Sequence, residues 1–305
     1  MAKYIARRLA YSVIVLFVTS LVVFGLSRAA GDPRHIFLTE YTSQEDWDLW
    51  GEEYGLDKPF IVQYGIWVGN ALRGDFGTSL RDHVNARLVI QERIPATLQL
   101  TVGSFVIAIV VGLPLGVMSA IKRGTIFDYV GRSWALLGQA LPPYWLGVMM
   151  VLLFAVMLNW LPSGRKGDWT HYVLPAVTLG WGAASGMLRL TRSAMLEVLD
   201  SEYIKLARAK GVGNNWIIWK HALKNAIIAP LTFSGLLLGG LMTGTVITET
   251  VFSWPGLGRL AVQAVYNNDF PVLTGVVLLV TVIYLSVNLL TDVLYALVDP
   301  RIRLN

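Results

Sequence analysis

Residues able to do bond chemistry are few and scattered in this chain. There is no cysteine, which removes disulfides, thiolate metal sites and thiol nucleophiles together. The four histidines, His35, His83, His171 and His221, lack the short spacings that gather ligands round a metal. No G-x-x-x-x-G-K-[ST] stretch offers a cradle for nucleotide phosphates, and no G-x-S-x-G turn presents a nucleophilic serine. Carboxylates are nearly missing from the apolar runs, which argues against a proton relay. Glu249, at the outer end of one run, is the nearest exception and reads as an interfacial group hydrogen-bonded to the neighbouring loop. The pattern asks for no cofactor and no metal, and it disfavours an enzyme. One stretch still stands out: "EYIKLARAKGVGNNWIIWKHALKNA", residues 202–226, with six Lys, Arg or His side chains between two apolar blocks.

The elements around it must sit in lipid. Of 305 residues, 54% are hydrophobic and 15% charged, and the mean hydropathy is +0.55. A soluble domain carries about a quarter charged residues. The net charge of +5 is modest, and no exposed basic face is gathered as a nucleic-acid partner would need. Charge-free runs cover 9–27, 94–121, 133–164, 169–188, 225–248 and 270–291. At about 1.5 Å per residue, even the shortest comes close to the roughly 30 Å thickness of the hydrocarbon core. Buried helices of a soluble bundle would show a polar face every turn, and these runs do not. The third run overshoots one crossing, and "NWLPSG" (159–164) reads as its interfacial exit, which leaves a helix over about 133–158.

Orientation follows from the basic residues. The first run is longer than the about 7–15 apolar residues of a secretory signal, so an uncleaved anchor is favoured. With that N-terminus in the cytoplasm, the inner segments hold Lys3, Arg7, Arg8, Lys122, Arg123, Arg132, Arg189, Arg192, the 202–226 cations, Arg301 and Arg303. That is the positive-inside bias. Residues 29–93 face outward with 11 acidic and 6 basic side chains. A helix is expected there from a Thr42/Ser43 cap to Gly55, and another from Pro59 to Gly74. A third, capped by Asp82, should run into the second span. Trp47, Trp50, Tyr64 and Trp67 read as interfacial or packing aromatics.

Within the spans, "GLPLG" (112–116), "GAASG" (182–186), "GLLLG" (235–239) and "GLMTG" (240–244) have the small-xxx-small spacing that lets helices approach closely in lipid. Pro114, Pro142, Pro143 and Pro175 are expected kink sites.

In the basic stretch, Met195, Leu199, Tyr203, Leu206 and Lys210 recur at three- and four-residue steps. The spacing predicts an amphipathic helix running on out of the membrane. Gly211 and Gly213 break it, and Asn214 or Asn215 can cap a second short helix. Ala207 and Gly211, four residues apart, have no side chain beyond Cβ, so a partner backbone can come close. Arg208 and Lys210 are placed to pair with acidic groups. The competing reading makes Gly211 only a helix C-cap with positive φ.

This arrangement resembles the coupling loop of ABC-importer permeases, where a short helix enters a groove of the ATPase subunit. Aligned on Gly211, Ala207 matches the second Ala of the family's EAA motif and Leu223 its later Leu, while Lys205, Leu206, His221 and Lys224 depart from it. The variant "ARAKG…HALKNA" resembles the dipeptide/oligopeptide/nickel subfamily. So do "GDPRHIF", "GLDKPFIVQYGIWVGNALRGDFGTSL", "RIPATLQLT", "KRGTIFDYVGR", "RLTRSAMLEVL", "TETVFSWPGLGRL", "NDFPVLTG" and "DPRIRLN", in order along the chain. The long outer segment resembles the B-type, dipeptide-permease-like subunit.

The resemblance implies an all-α integral membrane protein with the type I ABC-importer transmembrane fold, six transmembrane helices and both termini cytoplasmic. It divides into an N-terminal span (1–28), an outer segment (29–94), a transmembrane domain (95–298) and a tail (299–305). Beyond the first, the spans fall at about 96–121, 133–158, 171–190, 225–249 and 270–297, with the coupling loop at about 193–224. Its implied coupling residues are Tyr203, Ala207, Arg208, Ala209, Lys210, Gly211, His221, Leu223 and Asn225. Glu249, Trp254, Pro255, Gly256 and Arg259 would form an outer loop near a solute-binding protein. Implied partners are a second permease, two cytoplasmic ABC ATPases, that binding protein and membrane lipid. Di- or oligopeptides are the implied cargo, with nickel chelates, glutathione or oligosaccharides as alternatives. The rivals are an ion-coupled secondary transporter, which would need buried carboxylates, and a membrane-bound enzyme.

Overall fold

A computed structural model describes residues 2–29, 43–53 and 56–298. His35, Thr42, Gly55, the "GDPRHIF" segment and the 299–305 tail lie outside the described residues. The elements are all helical: α1 (Ala2–Ala29), α2 (Gln44–Glu53), α3 (Phe60–Leu72), α4 (Ala86–Ile121), α5 (Ile126–Ala140), α6 (Pro143–Met157), α7 (Trp169–Leu199), α8 (Glu202–Ala209), α9 (214–226), α10 (Ile228–Val251), α11 (Leu257–Tyr266) and α12 (Phe270–Val298). By length and composition, α1, α4, α10 and α12 can each cross a membrane, and α5 with α6 can form a fifth, bent crossing. The fourth expected span, 171–190, lies inside the 31-residue α7. Contacts divide the chain into two units, Met1–Ala96 with Gly256–Leu289, and Thr97–Pro255 with Leu290–Asn305.

The first unit is held by aromatic packing and a small apolar core. Phe24 of α1 lies against the rings of Phe60, Tyr64 and Trp67 at 5.2–5.6 Å, and the Ser20 and Tyr64 hydroxyls share a 2.7 Å hydrogen bond. Tyr64 and Trp67 are therefore packing residues. As expected, Pro59 precedes α3, and Gly74 (φ +79°) follows it. The next helix does not start at Asp82. Its N–H is taken by Ser79 Oγ (3.1 Å) in a turn, and Asn85 accepts from Arg87 N–H (2.9 Å) to open α4 at Ala86. Ala86, Val89 and Ile90 then pack with Leu257, Leu260, Ala264, Val272 and Val276. Buried Asp269 accepts from the Ser79 hydroxyl at 2.5 Å and from Val272 N–H at the start of α12.

The second unit is built round α7, against which α4, α5, α6 and α10 all pack. The small residues of "GLPLG" permit the α4 contact. A Cβ on Gly112 would stand 2.5 Å from the Ala184 carbonyl oxygen, and one on Gly116 2.6 Å from Thr191 Cβ. In "GLMTG" only one end is used this way, since a Cβ on Gly244 would stand 3.2 Å from Leu179 Cδ1 and one on Gly240 would meet nothing within 4 Å. Asp168 caps α7 by accepting from Thr170 N–H at 3.0 Å. The Thr170 hydroxyl first, and the His171 ring second, hold its carboxyl down at about 2.

The helix expected over 133–158, with kink sites at Pro142 and Pro143, divides there into two helices, α5 and α6, bent by 108°. Pro142 forces Leu141 out of the helical region (ψ 126°), and Pro143 does the same to Pro142 (ψ 135°). Pro114 causes no such break. It lacks the N–H that would meet the Val110 carbonyl, and a π-helical turn at Ala108–Gly112 absorbs the missing bond while α4 continues.

Candidate functional site: the 202–226 hairpin

The continuous helix expected from Met195 through Lys210 is interrupted. α7 stops at Leu199, Asp200 and Ser201 break the phase, and α8 starts again at Glu202. The restart changes which side chains are buried. Ile204 is fully buried, whereas Tyr203 and Leu206 are exposed. Ile204 joins Val117 and Ala120 at the end of α4, Met195 of α7, and Ile217, Ile218, Ala222 and Ala226 of α9 in one apolar cluster. The short helices are thus seated on the ends of two long ones. The available signal was Ser201 followed by Glu202, residue types that suit a helix start, within what reads as one helical register.

Gly211 closes α8. It adopts φ +77°, its N–H bonds to the Arg208 carbonyl (2.9 Å), and Val212 N–H bonds to the Ala207 carbonyl (3.2 Å). This paired closure is the Schellman arrangement, which a left-handed residue makes possible. Ala207 and Gly211 therefore do not share a continuing helical face, because the helix ends at Ala209. A Cβ on Gly211 would still meet nothing within 4 Å. The backbone needs the conformation, and the chain itself leaves the space beside it open.

A polar clasp joins the two helices. Tyr203 donates its hydroxyl to the His221 carbonyl (3.0 Å) and accepts from Asn225 Nδ2 (2.8 Å), which also donates to His221 O (2.9 Å). The structure thus brings three of the sequence-assigned residues together, with His221 contributing its backbone. Leu223 is half-buried against the apolar cluster, and Ala207 is half-buried on α8. Arg208, Ala209 and Lys210 are exposed at the tip, beside Gly211. On α9, Trp216 and Trp219 are also exposed, with Lys220 Nζ 4.4 Å from the Trp216 ring centre.

Sequence reasoning missed one arrangement next to this seat. Asp128, 1% exposed in the first turn of α5, takes a two-pronged ion pair from Arg192 of α7 (2.7 and 2.9 Å). It also accepts from the Ser119 hydroxyl (2.7 Å) and Gly124 N–H (3.1 Å). The available signal was one acidic residue in the otherwise basic 122–132 segment.

The sequence-assigned outer residues fall in different units. Glu249, fully buried, accepts from the Thr97 hydroxyl at 2.7 Å, and its carbonyl accepts from Trp254 N–H. Trp254 is buried against Tyr172, at 5.8 Å between ring centres, and is not at the surface. Pro255 is half-buried beside it; in the other unit Gly256 is buried and Arg259 half-buried. Among the described residues no group of three or more His, Asp or Glu side chains is placed to hold a metal ion.

Apolar helices packed round α7, with a two-helix element seated on the ends of α4 and α7, fit a multi-pass membrane protein. The chain belongs to the family described as binding-protein-dependent transport system inner membrane component, which matches residues 112–304; the family's N-terminal component matches residues 1–101. It is an ABC-importer permease of the dipeptide/oligopeptide type. Its relatives include the oligopeptide transport system permease protein AppB of Bacillus subtilis, 37% identical over 99% of this chain and 100% of the relative. The glutathione transport system permease protein GsiC of Salmonella choleraesuis is 38% identical over 99% of each chain. Among solved structures, the inward-facing MetNI methionine ABC transporter superposes with a TM-score of 0.59 at 22% identity, over 70% of this chain and 97% of that one. An amino acid ABC transporter solved with histidines gives 0.55 at 16% identity, over 68% and 92%. These two likenesses speak to the fold.

Proposed function

We propose that this chain forms half of the translocation pathway of an ATP-driven importer of di- or oligopeptides, with a second permease as the other half. Two ATPases drive the pair, one of them docked on this chain's 202–226 hairpin, and a solute-binding protein delivers cargo from the opposite face. In this reading six crossings, with α7 and the bent α5–α6 pair each counting as one, place both termini and the hairpin in the cytoplasm of a bacterial or archaeal cell. The observation that carries it is the hairpin itself: a short helix with an exposed cationic tip and an open glycine, held by the Tyr203–Asn225 clasp. Its seat on α4 and α7 provides a path from docking to the spans. Glu249, Trp254, Pro255, Gly256 and Arg259 shape the outer loop, with the buried members setting its form. Peptide cargo is favoured because the relatives are named for oligopeptide and for glutathione, itself a tripeptide.

The test is uptake of labelled trialanine and of glutathione into vesicles holding the complete importer. Uptake should persist when the membrane potential is collapsed with ATP intact, and should stop when ATP is removed. Uptake that follows the potential would establish the secondary-transporter reading instead.

A further inference from the structure

We infer that Asp128 and Arg192 are positioning residues that make the seat of the hairpin and the start of α5 move as one body. This deepens the proposed coupling role and rests on it. The carboxylate of Asp128 has both oxygens committed. Oδ1 accepts from Arg192 Nε and Ser119 Oγ, and Oδ2 accepts from Arg192 Nη2 and Gly124 N–H. A buried, fully bonded charge of this kind tolerates little displacement, because any lost bond leaves an uncompensated group out of water.

The segments it joins are not arbitrary. Ser119 lies between Val117 and Ala120, and Arg192 lies one helical turn before Met195; these three apolar residues form part of the floor on which the hairpin rests. Apolar packing therefore grips the hairpin from one side of the α4 and α7 ends, while the ion pair grips α5 from another. α5 then runs to the 108° break before α6, so a shift at its first turn would be carried to that elbow. A neutral contact could slide as the hairpin is pulled. The forked ion pair fixes distance and direction together.

The absence of cysteine allows a direct test. Leu136, 70% exposed on α5, is replaced by Cys, and the chain is assembled with its second permease and ATPases in vesicles. The rate of N-ethylmaleimide labelling is compared without nucleotide and after trapping with ATP and vanadate. In the parent the two rates should differ by about fivefold, the lower end of usual site-to-site coupling. Asp128→Asn should bring them together while the ATPases remain bound and hydrolyse ATP. Arg192→Lys, which keeps the charge but loses the fork, should lie between. A merely structural role would change the amount of assembled complex and leave the ratio of rates unaltered. Should Asp128→Asn not assemble, Arg192→Lys decides, since it keeps both charges and removes only the fork. An unchanged ratio in the variant that decides, or equal rates in the parent, would overturn the inference. A complex with no ATP hydrolysis at all would sink the underlying coupling reading, and this one with it.

Discussion

At the scale of single residues, Gly211 separates two demands on one position. Its φ of +77° is a requirement of the chain, whereas the empty space beside it is available to a partner. Gly211→Val should destabilise the α8–α9 turn by about 1–2 kcal/mol through left-handed strain alone. Gly211→Asn tolerates the conformation, so it should insert and assemble with the second permease yet retain less ATPase on copurification. Equal ATPase retention by Gly211→Asn and the parent would leave only the turn role. Tyr203→Phe removes one donor and one acceptor from the clasp and should cost about 1 kcal/mol of hairpin stability. Faster proteolysis of the 200–226 segment in vesicles would report it, and an unchanged rate would count against the clasp. Gly211 was legible by type and spacing, whereas Tyr203 and Asn225 entered as coupling residues only through the resemblance. Asp128 was not, because sequence shows a charge without showing the distant Arg192 that satisfies it.

Among the elements, legibility tracked the length and purity of the apolar pattern. α1, α4, α10 and α12 follow their charge-free runs, because uninterrupted greasy stretches leave a helix little else to do in lipid. The 133–164 run misled by the same logic. Pro142 and Pro143 were legible there as kink sites, but it was not legible that their steric demands in succession would turn one expected helix into a 108° elbow. The α7–α8 boundary was not legible because the break at Asp200 and Ser201 rotates every later side chain and makes Ile204, rather than Tyr203 and Leu206, the buried face. Close helix contact was foreseeable as a spacing but not as a partner. Gly116→Val should force α4 from α7, at about 1–3 kcal/mol of overpacking, and lower the yield of assembled complex. Gly69→Ala on α3, where a Cβ meets nothing within 4 Å, is the control and should leave the yield unchanged. Equal yields would mean that the Gly116 approach to Thr191 is not required.

For the whole molecule, the account depends on which side of the membrane the hairpin occupies and on what binds it there. Single cysteines in place of Ser201 or Asn214 should react only from the cytoplasmic side, and those in place of Ser43, Ser163 or Asn267 only from outside. Reaction of the Asn214 position with an impermeant reagent added outside intact cells would invert the map. The central claim is that ATPase motion enters through the hairpin, and Ala207→Glu tests it most directly. The substitution leaves the Gly211 turn alone and places a long anionic side chain on half-buried Ala207, beside the exposed cationic tip. With the complete importer in vesicles, the account predicts that the second permease stays bound while ATPase retention and ATP-driven uptake are lost. Full uptake and full substrate-stimulated ATP hydrolysis by Ala207→Glu would contradict it.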